Sequence, residues 1–450
     1  MKISYNFIDN EVKISYHFIM SENNWKSRWS SEQIRALLVE QFNAFWKLDI
    51  GIRRSKLNEV EKTATLPHAV IVSGLRRCGK STLLAQYAHQ IGEDAFYYLN
   101  FEDERFLGFQ ADDASDLFQT LVEIFGERKI FIIDEIQNVP NWEHFVRRFM
   151  DLGYKFFVSG SNASLLGSEF GTRLTGRYVV VELFPFSFKE YLRFKEKSHD
   201  LKAMDTVECA RLQKNFRSYI NSGGIPDALK YPEFPLSQVL YKDILYRDIA
   251  ARYKLSALTE LKELAFFLVS NPASCVSFNK LQARLGLGSI NTVKSFIEYM
   301  ENSWLLFSIK RYAYSVKSQQ IAPKKIYCID TGLVNSVGFH FSPDSGKLIE
   351  NIVFLSLRQF TNDIYYYETQ DGCEVDFYLP QQKQLIQVAQ RLDRSATRDR
   401  EVRAIEKSIS EIPVKNALIL SDKSERDIVI KKIPIHIQSV TEWLLHEKQI

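Results

Sequence analysis

The chain has 450 residues, 45% hydrophobic and 25% charged, with a net charge of +3. That length exceeds what one hydrophobic core supports, and so small a charge does not by itself argue for a nucleic-acid partner. No apolar run reaches the length of a membrane span, and five scattered cysteines without a C-x-x-C pair argue against a disulfide frame or zinc knuckle and for a reducing cytoplasm.

The first 20 residues hold a short duplication, Lys2-Ile-Ser-Tyr-Asn-Phe-Ile8 and Lys13-Ile-Ser-Tyr-His-Phe-Ile19. It reads either as a β-hairpin or as a translated upstream region, with Met20 as an alternative start, and no function attaches to it. Residues 31–46 place Ile34, Leu37, Leu38, Phe42 and Phe45 on one helical face. These segments form an N-terminal extension, residues 1–50. Arg53 and Arg54 follow and read as a solvated face, with approach to a base or ribose as the alternative.

Residues 69–73 are a valine- and isoleucine-rich run, the pattern of a buried parallel strand. It enters Gly74-Leu75-Arg76-Arg77-Cys78-Gly79-Lys80-Ser81, an unbroken G-x-x-x-x-G-K-[ST], and a helical pattern begins at Thr82. Strand, glycine-bounded loop and helix make this motif a phosphate site. Backbone N–H groups from Gly74 to Thr82 are expected to cradle a polyphosphate at the positive end of the helix. Lys80 is expected on the β- and γ-phosphates and Ser81 on Mg²⁺, so the expected ligands are ATP and Mg²⁺.

Residues 95–100 read as a second strand and 116–125 as a helix. Lys129-Ile-Phe-Ile-Ile-Asp134-Glu135 then ends four apolar residues in two carboxylates. This layout places Asp134 beside Ser81 and the metal, with Glu135 set to polarise the attacking water. Residues 154–159 are the next strand. Ser161 or Asn162 at its tip serves either the γ-phosphate and water or a helix N-cap. Arg173 and Arg177 precede a strand at 179–183. Either the arginine completes a neighbouring subunit's site, or it is a surface residue. The catalytic candidates are therefore Glu135, Lys80 and Arg177.

GLRRCGKSTLL, FIIDEIQ, VSGSNASLL and GRYVVVELFPFSFKEYL together resemble the bacterial and archaeal AAA-type P-loop ATPases that carry a C-terminal domain of unknown function. The resemblance continues in PKKIYCIDTGL (323–333), GKLIENIVF (346–354) and EVDFYL (374–379), so it spans roughly residues 50–450. It implies an ATPase domain at 51–225 and a winged helix at 226–345.

From the residues themselves, Gly223-Gly224-Ile225-Pro226 is a domain-joining turn, and 238–253 is a charged helix with Asp243, Arg247 and Asp248. Helices at 258–270 and 278–285, a third capped by Ser289 and a strand at 305–314 follow the winged-helix layout. Lys294, Lys310, Arg311, Lys317, Lys324 and Lys325 are its candidates for duplex DNA phosphates, against a lid with solvated lysines. In 346–450, a helix before three strands, then helix and strand, outline a restriction-endonuclease-like domain. Glu350 and Asp376 fit its acidic positions, but Gln387-Val388-Ala389 stands where Glu-x-Lys belongs, so an inactive site is expected.

The expected fold class is α/β: a P-loop NTPase parallel sheet with helices on both faces, a winged-helix domain and a small restriction-endonuclease-like domain. The expected function is Mg-ATP hydrolysis coupled to conformational change of C-terminal modules on DNA. The alternatives are an ATP-dependent interaction switch with little turnover and an ATP-dependent nuclease. A homo-oligomer would give Arg177 its role; no membrane partner is expected.

Overall fold

The computed structural model describes residues 29–161, 174, 176–197, 206–338, 345–393 and 395–446, and two short antiparallel strands, β1 (Phe7–Ile8) and β2 (Glu11–Val12). The rest of the N-terminal duplication, Asn162 and Arg173 lie outside the described residues.

The first large body is a five-stranded parallel sheet in the order β4-β5-β6-β3-β7. Its strands are β3 (Ala69–Gly74), β4 (Phe96–Asn100), β5 (Ile130–Asp134), β6 (Lys155–Gly160) and β7 (Tyr178–Leu183). The apolar runs do not alternate with polar residues because both faces are covered. Val70 and Val72 of β3 enter one core, whereas Ala69 and Ile71 enter another on the opposite face. Helix α1 (Ser31–Trp46) is capped by Ser30, whose hydroxyl accepts from the Gln33 N–H at 3.2 Å. Its apolar face packs as its spacing predicts, and Phe45 stacks on Tyr98 of β4 with centroids 3.9 Å apart. The sheet is completed by α2 (Lys80–Ile91), α3 (Ala114–Phe125) and α4 (Trp142–Asp151).

Beyond β7 come α5 (Phe188–Phe194) and α6 (Thr206–Ser222), then the glycine turn. Gly223 sits at φ +69°, and a Cβ there would lie 2.1 Å from an Asp330 carboxylate oxygen. That carboxylate accepts from the Gly224 N–H at 2.6 Å and caps α11, defined below, through the Leu333 N–H at 2.9 Å. Burial pushes the Asp330 carboxyl up to about 6. The glycine turn and the IDTGL stretch are thus two halves of one joint.

The charged helix is α7 (Leu236–Asp243), continued by a π-helical segment at Ile244–Ala251. Next come α8 (Leu258–Ser270), β8 (Ser274–Val276), α9 (Phe278–Arg284), α10 (Ile290–Asn302), β9 (Leu306–Arg311) and β10 (Lys324–Cys328). Ser289 caps α10, accepting from the Thr292 N–H at 3.1 Å. Strand β10 pairs antiparallel with both β8 and β9. Then follow α11 (Thr331–Val337), α12 (Ser345–Arg358), β11 (Tyr365–Glu368), β12 (Glu374–Leu379), β13 (Gln384–Val388), α13 (Ser395–Glu411) and β14 (Asn416–Ser421). β15 (Ile428–Ile430), β16 (Ile433–Ser439) and α14 (Val440–Leu445) follow.

These strands make one nine-stranded sheet that crosses the expected boundary at 345/346. Strand β9 is the hinge: Leu306–Ile309 pair with β10, and Lys310 and Arg311 pair parallel with β11. Helix α12 also returns to the first sheet, where Arg358 holds Glu182 of β7 at 3.0 Å.

Candidate nucleotide site

The phosphate motif bends out of the central strand β3 and into α2. Gly79, at φ +95°, is the N-cap, and Arg77 also takes a left-handed backbone, at φ 64°. Leu75 and Cys78 are fully buried, so the loop is anchored by its apolar side chains. The Cys78 N–H is turned onto the Leu75 carbonyl at 3.2 Å, inside the loop itself. Burial raises the Cys78 thiol.

Arg54 lies beneath this loop, not on a solvated face. Its guanidinium donates to the Cys78 carbonyl at 2.8 Å, the Phe184 carbonyl at 2.7 Å and Glu190 Oε1 at 3.0 Å. Glu190 also accepts from the Ser55 and Ser187 N–H groups at 2.8 and 3.0 Å. Arginine is suited to this place, since one planar group satisfies three acceptors.

Lys80 is 5% exposed and donates to the Gly74 and Leu75 carbonyls at 3.3 and 3.2 Å. Its Nζ lies 3.7 Å from Glu135 Oε1. The two carboxylates after β5 diverge. Asp134 is buried and accepts from Ser159 Oγ at 2.5 Å and Tyr98 Oη at 2.8 Å. Its pKa is raised, by burial first, with the Ser159, Tyr98 and Ser81 hydroxyls acting against that rise. Glu135, at φ 51°, faces Lys80 and accepts from Ser161 Oγ at 3.2 Å and from the Gln137 amide. Burial opposes its charge, but Lys80, Gln137, Arg76 and Ser161 outweigh it and hold the carboxyl below its ordinary value. Strand order explains the division: β6 lies between β5 and β3, so Ser159 and Ser161 at its tip reach the two carboxylates. Ser161 therefore orients Glu135.

Arg76 turns away from the loop. It grips Asp248 of the π-helical segment at 2.9 Å and Glu102 at 3.1 Å, and Glu102 also accepts from Arg247. Arg77 is exposed, 4.0 Å from Asp227. Thr82 lies in the first turn of α2. Arg177 precedes β7 at the sheet edge opposite the phosphate loop, with its carbonyl on Ala69 N and its guanidinium on Asp151. It lies away from the phosphate loop, which leaves β3 at the other end of the strand.

Lys325 corrects another expectation. It is 2% exposed, enclosed by carboxylates, and cannot reach a phosphate. Lys324 lies 5.2 Å over the Phe278 ring, and Arg311 pairs with Glu368 at 3.0 Å. Lys294, Lys310 and Lys317 are exposed.

The groups fit a nucleotide and its metal. The Ser81 hydroxyl and the Asp134 carboxylate form an oxygen donor pair suited to a hard cation, and Lys80 spans the loop. Tyr98 and Ser159 escape the sequence because their partner, Asp134, lies 36 and 25 residues away; Gln137 stands only two residues from Glu135, and no motif marks it.

Residues 67–192 match the AAA domain family. Residues 213–344 match a domain of unknown function (DUF8612), and 345–440 another (DUF4143). An uncharacterized protein of Methanocaldococcus jannaschii is 33% identical over 384 residues, 82% of this chain and 85% of that one. A Haemophilus influenzae protein is 30% identical, covering 68% of this chain and 78% of its own. The Walker-type ATPase of Pyrococcus abyssi aligns over 65% of this chain and 99% of that one, with TM-score 0.37 and 15% identity. No helix among the described residues is long and apolar enough to cross a membrane.

Proposed function

We propose that this chain, which belongs to the family of AAA-domain proteins carrying these two domains of unknown function, hydrolyses Mg-ATP to move its C-terminal modules on double-stranded DNA. The observation that carries the reading is Glu135, a partly buried carboxylate 3.7 Å from Lys80, which keeps it charged, and aimed by Ser161 and Gln137.

Loop N–H groups and the N-terminus of α2 bind the polyphosphate, and Lys80 supplies its fixed positive charge. A phosphate competing for Lys80 frees Glu135, which is then the base that accepts a water proton. Ser81 and Asp134 would hold Mg²⁺, which would supply charge neutralisation for the transferring phosphoryl group. Ser159 and Tyr98 fix the Asp134 oxygens while this happens. Arg76 carries the loop's position to the π-helical segment through Asp248, and that segment leads into α8.

The run helix, strand, helix, helix, strand, short helix (Val316–Ile321), strand from α8 to β10 supports a winged-helix reading of 226–345. Exposed Lys294, Lys310 and Lys317 are its candidate phosphate contacts. The helix and mixed strands of 346–450 support a nuclease-like reading without nuclease activity. Arg177 acts only in trans, in a cytoplasmic homo-oligomer.

The test is ATP turnover with and without duplex DNA, wild type against Glu135→Gln. DNA is expected to raise wild-type turnover, while Glu135→Gln keeps ATP binding and loses turnover by about 10²-fold or more. Undiminished turnover in Glu135→Gln would remove the base from the reading.

A further inference from the structure

The nuclease-like reading of 346–450 implies a divalent cation between Glu350 and Asp376, and the residues present do not fit one. The ammonium of Lys325 already stands among the carboxylates: 2.7 Å from Glu350 Oε1, 2.6 Å from Glu374 Oε1 and 2.9 Å from Asp376 Oδ1. The curl of the sheet brings it there. Because β9 changes partners midway, β8 and β10 fold back over β12, and Cys275 of β8 lies 3.8 Å from Glu374.

Several neighbouring polar atoms are bonded internally. Asp376 Oδ2 accepts from the Val388 N–H at 2.9 Å, and Gln387 Oε1 from the Asp376 N–H at 3.2 Å. The Gln387 amide donates to buried Glu401 at 2.7 Å, and Tyr327 donates to Glu350 Oε1 at 2.8 Å. Among the described residues no set of three His, Cys, Asp or Glu side chains is placed to hold a metal ion. Burial works against the Lys325 charge, but Asp376 and Glu350 outweigh it and raise its pKa.

We propose that Lys325 is the resident cation of this centre, its ammonium taking the place of a divalent ion, so that the module folds without metal and does not cut DNA. The proposal rests on the nuclease-like reading above. A lysine at this position answers part of the same need as a metal: its charge opposes the protonation that burial drives, although burial still holds Glu350 well above its ordinary value. A cavity of about 980 Å³, lined by Lys347, Glu350, Asp376 and Arg400 among others, opens beside it, so there is room for an ion once the ammonium is gone.

The experiment titrates Mn²⁺ into the nucleotide-free full chain and follows its melting temperature. The wild type is expected to show no response that depends on Asp376. Lys325→Ala is expected to gain one, roughly 4 °C or more at saturation, which a further Asp376→Asn removes. A wild-type response abolished by Asp376→Asn overturns the proposal, as does a folded Lys325→Ala chain indifferent to Mn²⁺. Should Lys325→Ala fail to fold, the Lys325→Gln/Glu374→Gln chain, which sheds one carboxylate with the ammonium, is read by the same two outcomes. ATP turnover of the same preparations reports on the ATPase separately, so loss of that reading leaves the Mn²⁺ result standing.

Discussion

Replacing Arg54 by methionine tests whether the phosphate loop is held from beneath. Methionine keeps an apolar stem near Phe186, whose ring centroid lies 4.8 Å from the Arg54 guanidinium carbon, and removes only the donors. Glu190 would keep two backbone N–H bonds but lose its counter-charge, and the Cys78 and Phe184 carbonyls would lose their donor. Both side chains of the pair are about 5% exposed or less, so solvent does little to screen the loss. Breaking such a pair from one side costs about 3–5 kcal/mol. Urea unfolding without nucleotide measures it, and Glu190→Gln closes a double-mutant cycle in which the double variant costs less than the sum. The Glu190 carboxyl sits below its ordinary 4.5: burial raises it, and Arg54 with the two N–H groups outweighs burial. Its stabilising share is therefore present above about pH 4.5 and lost as pH falls through the lower folded value. The gap between wild type and Arg54→Met should narrow below pH 4.5. A cost below about 1 kcal/mol, the range of exposed pairs, or a gap unchanged with pH would refute the reasoning.

Ser159→Ala removes a donor from Asp134 and should weaken the Mg²⁺ dependence of turnover by about tenfold, while ATP binding without Mg²⁺ stays as it was. An unaltered Mg²⁺ titration would mean that Ser159 does not orient the metal ligand. Asp248→Asn breaks the link from Arg76 to the π-helical segment; ATP affinity should hold and the stimulation of turnover by DNA should fall. Retained stimulation would place the coupling elsewhere. Burial, with the Asp376 charge behind it, pushes Glu350 up to about 8 from 4.5, so its cost to stability appears as pH rises between those values. Glu350→Gln should flatten that decline, by on the order of 1.4 kcal/mol per pH unit at most, in urea unfolding from pH 5 to 8. The same slope in both chains would contradict it.

The phosphate site was legible in the sequence because everything that defines it is local. A buried run, a left-handed glycine and a helix start lie within 20 residues, and the α1 and α10 caps are likewise set by residues three apart. Runs such as residues 130–134 announced two-faced burial, which the two cores on either side of the first sheet display. Asp134 and Glu135 could be named from position, since a strand ending at the loop's edge of a parallel sheet has one place to put them.

Their separate environments could not. Ser159 and Ser161 matter only because β6 inserts between β5 and β3, and that is a matter of strand order. Arg54 reads as a solvated charge and Lys325 as a candidate phosphate contact, since polar patterning reports which residues can face water but not which acid waits inside. The partners that bury them, Glu190 and Asp376, stand 136 and 51 residues away. A charge enters a core only when an opposite charge arrives from elsewhere in the chain. The long-range fold alone decides that meeting, as it decides the curl that carries β10 across β12.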